Sequence, residues 1–113
     1  MPTRITRDDL YERIVGPDPI TVVEALGAGY YDDAHLPGAI NLPAGQVDRL
    51  APVLLPVRGA QVVVYCSGTC SSAEVVADRL EVLGYSDVAV YAGGKEDWVE
   101  HGRPLERTDQ AEV

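Results

Sequence analysis

The feature that most constrains the fold of this sequence is an apolar run that ends at a cysteine. Residues 62–65 read Val-Val-Val-Tyr, and Cys66 follows them. Small residues fill positions 67–72, and from Ala73 onward apolar residues recur at helical spacing. This stretch predicts a buried strand, a loop and a helix N-terminus, with a thiol where the strand stops. Loop amides and a helix dipole directed at one sulfur favour its thiolate form.

Elsewhere along the chain, short apolar runs alternate with helical patterns. The spacing predicts further strands at residues 20–24, 39–41 and 87–91. It predicts helices that begin after Thr6, at residues 46–55, near residues 71–72 and at residues 95–101, with Gly84 as a left-handed C-cap of the third. The alternation predicts an α/β fold with a central, mostly parallel sheet flanked by helices. Cys66 would then lie at the carboxyl edge of the sheet, where such folds bind ligands.

The length and charge of the chain limit its number of domains and the kinds of partner it can bind. Its 113 residues suit a single domain over 1–113, with a core at about 6–105 and a frayed tail at 106–113. A net charge of −9 disfavours nucleic acid as a partner, because like charges repel. No apolar run reaches the roughly 20 residues that span a membrane, and residues 1–10 lack the apolar core of a signal peptide. We expect a cytoplasmic protein that is not bound to a membrane.

The two cysteines, Cys66 and Cys70, lie in one loop. Thiols so close in sequence do not join distant parts of a fold, and in a reducing compartment they indicate reactivity. Two cysteines with His35 and His101 at unrelated spacing do not form a recognisable four-ligand zinc pattern. We therefore predict neither a metal nor a cofactor.

The loop itself suggests an anion site. Its amides and hydroxyls can surround a negatively charged sulfur, such as that of a persulfide or thiosulfate; the residues are Ser67, Gly68, Thr69, Cys70, Ser71 and Ser72. Cys66 is the candidate nucleophile, and the alternative is a small buried residue at a strand end. Cys70 is either a resolving thiol or a small packing residue, and its spacing leaves both open.

Two polar residues outside the loop are candidate supporting residues. Glu24 ends the first predicted strand, and we expect it to hold a loop amide rather than to face the site. His35 precedes a Pro-Gly turn and is expected to be a structural hydrogen bonder rather than a base.

These motifs together resemble the rhodanese-like domain family over about residues 6–105. The segment His-Leu-Pro-Gly-Ala-Ile-Asn-Leu-Pro at 35–43 is similar to the family signature. The other matching segments are 22–24, the strand and loop around Cys66, and 83–98. Active sulfurtransferases of the family usually carry Arg at the second and sixth loop positions, which here are Ser67 and Ser71. The loop resembles a subset of the family that has a second loop cysteine.

The resemblance implies a sulfurtransferase that passes sulfane sulfur through a Cys66 persulfide to a thiol acceptor. Its partners would be a sulfane-sulfur donor and a thiol, each a small molecule or a protein. Hydroxyls replace the guanidinium forks that bind thiosulfate oxygens well, so we expect weak activity with thiosulfate. Two alternatives are a thiol–disulfide switch of Cys66 with Cys70 and a non-catalytic binding module.

Overall fold

The computed structural model describes residues 3–16, 20–67 and 71–106. Within these ranges the strands are β1 (Thr3–Arg4), β2 (Thr21–Glu24), β3 (Ile40–Asn41), β4 (Val62–Tyr65) and β5 (Val88–Tyr91). The helices are α1 (Arg7–Val15), α2 (Ala28–Asp33), α3 (Val47–Leu54), α4 (Ser72–Val82) and α5 (Gly94–Glu100), and a 3-10 turn at Ala44–Gln46 precedes α3.

The strands form one sheet in the order β1-β5-β4-β2-β3, and every described pairing is parallel. This confirms the predicted α/β fold and its central sheet. The sequence pattern did not reveal β1, because Thr3 and Arg4 are exposed and too few to show a period. Backbone pairing places this short strand beside β5, where the amide of Ile5 donates to the carbonyl of Val90 at 3.1 Å.

Alternating strand residues bury both faces of the sheet. Val23 and Val64 face one apolar cluster, which includes buried residues of α3 and α4. Val22 and Val63 face the other, which holds Leu10 of α1 and Trp98 of α5. The helices therefore cover the sheet from both sides, as a parallel sheet requires.

Glu106, the first residue of the expected tail, pairs with the segment that begins at His35. Glu106 and His35 form an antiparallel bridge in which each amide donates to the other's carbonyl at 2.8 Å. Two backbone hydrogen bonds thus join Glu106 to the rest of the domain. Residues 107–113 lie outside the described part of the chain. Among the described residues, no helix has the length and apolarity to cross a membrane.

Gly84 ends α4 in the predicted left-handed conformation, with φ at +102°. We expect Gly84→Ala to lower the free energy of unfolding by about 1–2 kcal/mol, because a Cβ disfavours this backbone region. Urea denaturation measures the change. Gly59→Ala is the matched control, since Gly59 lies outside that region with no atom within 4 Å of an added Cβ. Equal effects of the two substitutions would show that the backbone conformation is not the cause.

Candidate active site

The described strands β2, β3, β4 and β5 end level with one another at one edge of the sheet. Glu24 of β2 pairs with both Asn41 of β3 and Tyr65 of β4, and Tyr65 pairs with Tyr91 of β5. Cys66 directly follows Tyr65, so the sulfur-bearing residue lies at this carboxyl edge. That is the position predicted from the sequence.

Cys66 is buried, with 3% of its surface exposed, and it belongs to the apolar cluster beneath α3 and α4. Its Sγ lies 3.5 Å from the carbonyl oxygen of Ser67. Its own carbonyl accepts a 2.8 Å hydrogen bond from the amide of Lys95, which joins the start of the loop to the start of α5. Burial in the apolar cluster agrees with the alternative that Cys66 is a small core residue. Its position at the sheet edge agrees with the hypothesis that Cys66 is the nucleophile.

Cys66 is disulfide-bonded in this structure. The sequence contains one other cysteine, Cys70. Cys70, Gly68 and Thr69 lie outside the described residues. Cys66 must therefore be reduced before it can act as a nucleophile.

The described loop serines are arranged around the start of α4. Ser67 is partly buried, and Ser71 is exposed and immediately precedes the helix. Ser72 is the first helical residue, which confirms the predicted start of α4. The Ser71 hydroxyl forms no capping hydrogen bond with the helix. The positive end of the α4 dipole thus lies at the end of the cysteine loop.

Glu24 is fully buried behind the loop. The hydroxyl of Tyr65 donates to its carboxylate at 2.6 Å, and the ammonium of Lys95 lies 3.3 Å from each carboxylate oxygen. The expectation that Glu24 holds a loop amide stays a prediction, because residues 68–70 of the loop lie outside the described residues. The amide of Leu36 donates to the hydroxyl of Tyr65 at 3.0 Å. Glu24 therefore reaches that amide only through Tyr65.

The Tyr65 hydroxyl acts as a fixed donor in this network. Burial, together with the hydrogen bond to the Glu24 carboxylate, raises its pKa far above the ordinary value. Tyr65 therefore stays protonated across the physiological range and keeps its hydrogen bond to Glu24.

Lys95 is the site residue that the sequence analysis missed. Besides Glu24, its ammonium donates to the carbonyls of Tyr30 at 3.2 Å and Ala34 at 2.5 Å. These oxygens use the three donors of an ammonium group, which makes Lys95 a tether between α5, α2 and β2. One signal was present in the sequence: a lysine in the first turn of a helix is disfavoured by the dipole unless a partner compensates.

His35 contacts the scaffold around the turn that follows it. Its Nδ1 lies 2.9 Å from the carbonyl of Tyr31, and its ring stacks on the Tyr31 ring with centroids 4.0 Å apart. Its Nε2 lies 3.9 Å from a carboxylate oxygen of Glu106. These contacts agree with the predicted structural role.

A cleft of about 590 Å³ opens beside Ser67 at the same edge of the sheet. Residues that follow β2, together with α2 and α5, form its described walls. A substrate that reaches the loop can enter here. The structure thus combines a cysteine loop, a helix N-terminus and an adjoining cleft at one sheet edge.

The sequence profile described as "Rhodanese-like domain" matches residues 6–101. The chain belongs to the rhodanese-like domain family. Its strand order, its cysteine loop after β4 and its segment at 35–43 are therefore those of a rhodanese-like domain. Ser67 and Ser71 occupy the two loop positions at which the resemblance leads one to expect arginine.

Individual relatives agree with the family. The chain is 27% identical over 106 residues to the thiosulfate:glutathione sulfurtransferase of Saccharomyces cerevisiae, covering 80% of this rhodanese-like chain and 74% of that protein. The crystal structure of thiosulfate sulfurtransferase from Pseudomonas aeruginosa is similar with a TM-score of 0.83 and 30% identity. That match covers 93% of this chain but only 20% of the Pseudomonas chain. A rhodanese-related protein from Thermoplasma volcanium matches with a TM-score of 0.76 and 27% identity, covering 94% of this chain and 99% of that one.

Proposed function

We propose that this rhodanese-like domain is a sulfurtransferase in which Cys66 carries sulfane sulfur as a persulfide. The observation that carries the proposal is the position of Cys66 at the carboxyl edge of the sheet, between β4 and the N-terminus of α4. The similarity to a thiosulfate:glutathione sulfurtransferase supports the reaction class. A positive dipole end beside the loop would stabilise the charge on a terminal sulfur.

The reaction has two balanced steps. The Cys66 thiolate attacks the sulfane sulfur of the donor, a new S–S bond forms, and the donor remainder leaves with the electron pair of the broken bond. With thiosulfate that remainder is sulfite. An acceptor thiolate then attacks the outer sulfur, the Cys66 thiolate leaves, and the acceptor departs as a persulfide.

The direct test is the mass of the protein after transfer. The disulfide is first reduced and the reductant removed, and the protein is then mixed with thiosulfate or with a small-molecule persulfide. We expect a mass gain of one sulfur atom, which peptide mapping places on Cys66. Absence of this adduct with every donor would overturn the proposal.

A substitution at Ser71 tests whether the lack of an arginine in the loop limits activity with thiosulfate. Ser71 is exposed and lies at the end of the loop, so we expect Ser71→Arg to raise kcat/KM for thiosulfate by about tenfold through a charge-assisted hydrogen bond. Steady-state sulfite release measures the effect. Ser71→Gln is the control for side-chain length without charge, and an equal gain with glutamine would contradict the explanation.

A second candidate function is a thiol–disulfide switch, which the disulfide bond of Cys66 favours. Oxidation would remove two electrons and two protons from the Cys66 and Cys70 thiols, with glutathione disulfide as the oxidant. The two functions can also be linked. A Cys70 thiolate that attacks the inner sulfur of a Cys66 persulfide forms the disulfide and releases hydrosulfide. Counting free thiols across glutathione buffers tests the switch, and thiols that stay reduced in the most oxidising buffer would exclude it.

A further inference from the structure

The cleft beside Ser67 has an apolar lining, part of which is exposed to solvent. Its apolar side chains come from three parts of the chain, and they are Leu26, Tyr30, Ala34, Val99 and Leu105. Leu26 and Leu105 also pack against the core. Tyr30 and Val99 are 67% and 51% exposed. The hydrogen bond from the Lys95 amide to the Cys66 carbonyl places the α5 wall of this cleft directly against the start of the loop.

The charges of the cleft are unbalanced. Lys95 is the cation among its described lining residues, and its ammonium is already bound by Glu24 and two carbonyls. Glu96 and Glu100 lie one turn apart on α5, line the same cleft and are exposed. Neither carboxylate forms an ion pair with another described residue. A ligand in this cleft therefore meets apolar surface and two carboxylates that have no cationic partner among the described residues.

Glu100 does not serve the stability of its own helix. It is the last residue of α5, where the helix dipole disfavours an anion. Replacement of Glu100 with glutamine should consequently leave the fold intact. Helix stability therefore does not explain a carboxylate at this position. Selection of ligands by charge would explain it.

We infer that this cleft receives the thiol acceptor and selects acceptors that have an apolar body and no negative charge besides the reacting thiolate. The inference rests on the proposed sulfurtransferase function, because it assigns the second substrate of the same site. An anionic acceptor would approach Glu96 and Glu100 against their repulsion. Two charges about 7 Å apart in water repel enough to slow a reaction by about threefold per carboxylate. The anionic donor thiosulfate does not fit this cleft for the same reason.

The experiment separates the two substrates in time. The reduced protein is loaded to the Cys66 persulfide, and the mass gain of one sulfur is verified before any acceptor is added. Decay of the persulfide is then followed with matched acceptors: N-acetylcysteine against its neutral amide, and glutathione against its diethyl ester. Rates are compared per thiolate present, so that differences in thiol acidity do not enter.

We expect the uncharged or cationic member of each pair to react about tenfold faster, and the preference to shrink at high salt. Glu96→Gln and Glu100→Gln should each reduce the preference by about threefold. Glu12→Gln is the matched control, because Glu12 is an exposed acid on α1 that does not line the cleft.

Two results would overturn the inference, and a third would overturn the proposed function on which it rests. Equal rates within each pair of acceptors would show that the cleft does not select by charge. An effect of the two glutamine variants on loading by thiosulfate, but not on persulfide decay, would assign the cleft to the donor. Failure to form the persulfide at all would instead remove the proposed function, and the mass measurement before acceptor addition distinguishes that case.

Discussion

Replacement of Cys66 with serine is expected to reduce sulfur transfer by about a thousandfold or more, because a hydroxyl cannot accept sulfane sulfur as a persulfide. The readouts are the sulfur adduct in the mass spectrum and sulfite release from thiosulfate. Since Cys66 lies in an apolar cluster, Cys66→Ala is the companion variant, and it removes the sulfur without burying a hydroxyl. Both variants should lose the adduct while keeping a cooperative urea transition.

Cys70→Ser is the control for this experiment. It removes the other cysteine and leaves Cys66 as the sole thiol. We expect it to keep the adduct and to lose any disulfide. An adduct that persists in Cys66→Ala but disappears in Cys70→Ser would transfer the role of nucleophile to Cys70 and contradict the assignment.

The largest expected loss of stability comes from Lys95→Met. The substitution removes the ammonium beside a fully buried carboxylate, leaving the hydroxyl of Tyr65 as the side-chain partner of Glu24 among the described residues. Loss of one partner of a buried ion pair lowers the free energy of unfolding by about 3–5 kcal/mol. Urea denaturation with an unchanged m-value would measure it.

Two further variants make this prediction specific. Lys95→Met combined with Glu24→Gln removes the stranded charge, so the double variant should recover part of the loss, and the double-mutant cycle measures the coupling. Arg79→Met breaks the pair of Arg79 with Asp48, which has two hydrogen bonds of 2.6 Å. Both side chains of this ion pair are largely exposed, so Arg79→Met should lower the free energy of unfolding far less than Lys95→Met. A loss in Lys95→Met no greater than in Arg79→Met would show that the buried pair does not hold the site together.

The parts of this fold that sequence could predict are those with a local signal. The strand at 62–65 is a continuous apolar run, and α4 repeats apolar residues at 3.6-residue spacing. Gly84 marks the end of that helix because few other residues adopt a left-handed backbone. The location of Cys66 followed from the order of these elements.

What sequence could not predict depends on contacts between distant positions. The ammonium of Lys95 meets oxygens 61, 65 and 71 positions away, and no local period encodes such a contact. The bridge between His35 and Glu106 joins similarly remote backbone groups. The strand β1 is too short to have a pattern of its own. The described side-chain partners of Glu24, Tyr65 and Lys95, are likewise fixed by the tertiary fold.

The helix α5 presents two different surfaces to the protein and to solvent. Trp98 anchors it in the core, while Glu96, Val99 and Glu100 point into or around the cleft. The proposed chemistry at Cys66 and the proposed choice of acceptor would therefore lie on separate segments. New substrate preferences could be engineered by recoding the outer side of this one helix, with the sulfur-carrying loop left as it is.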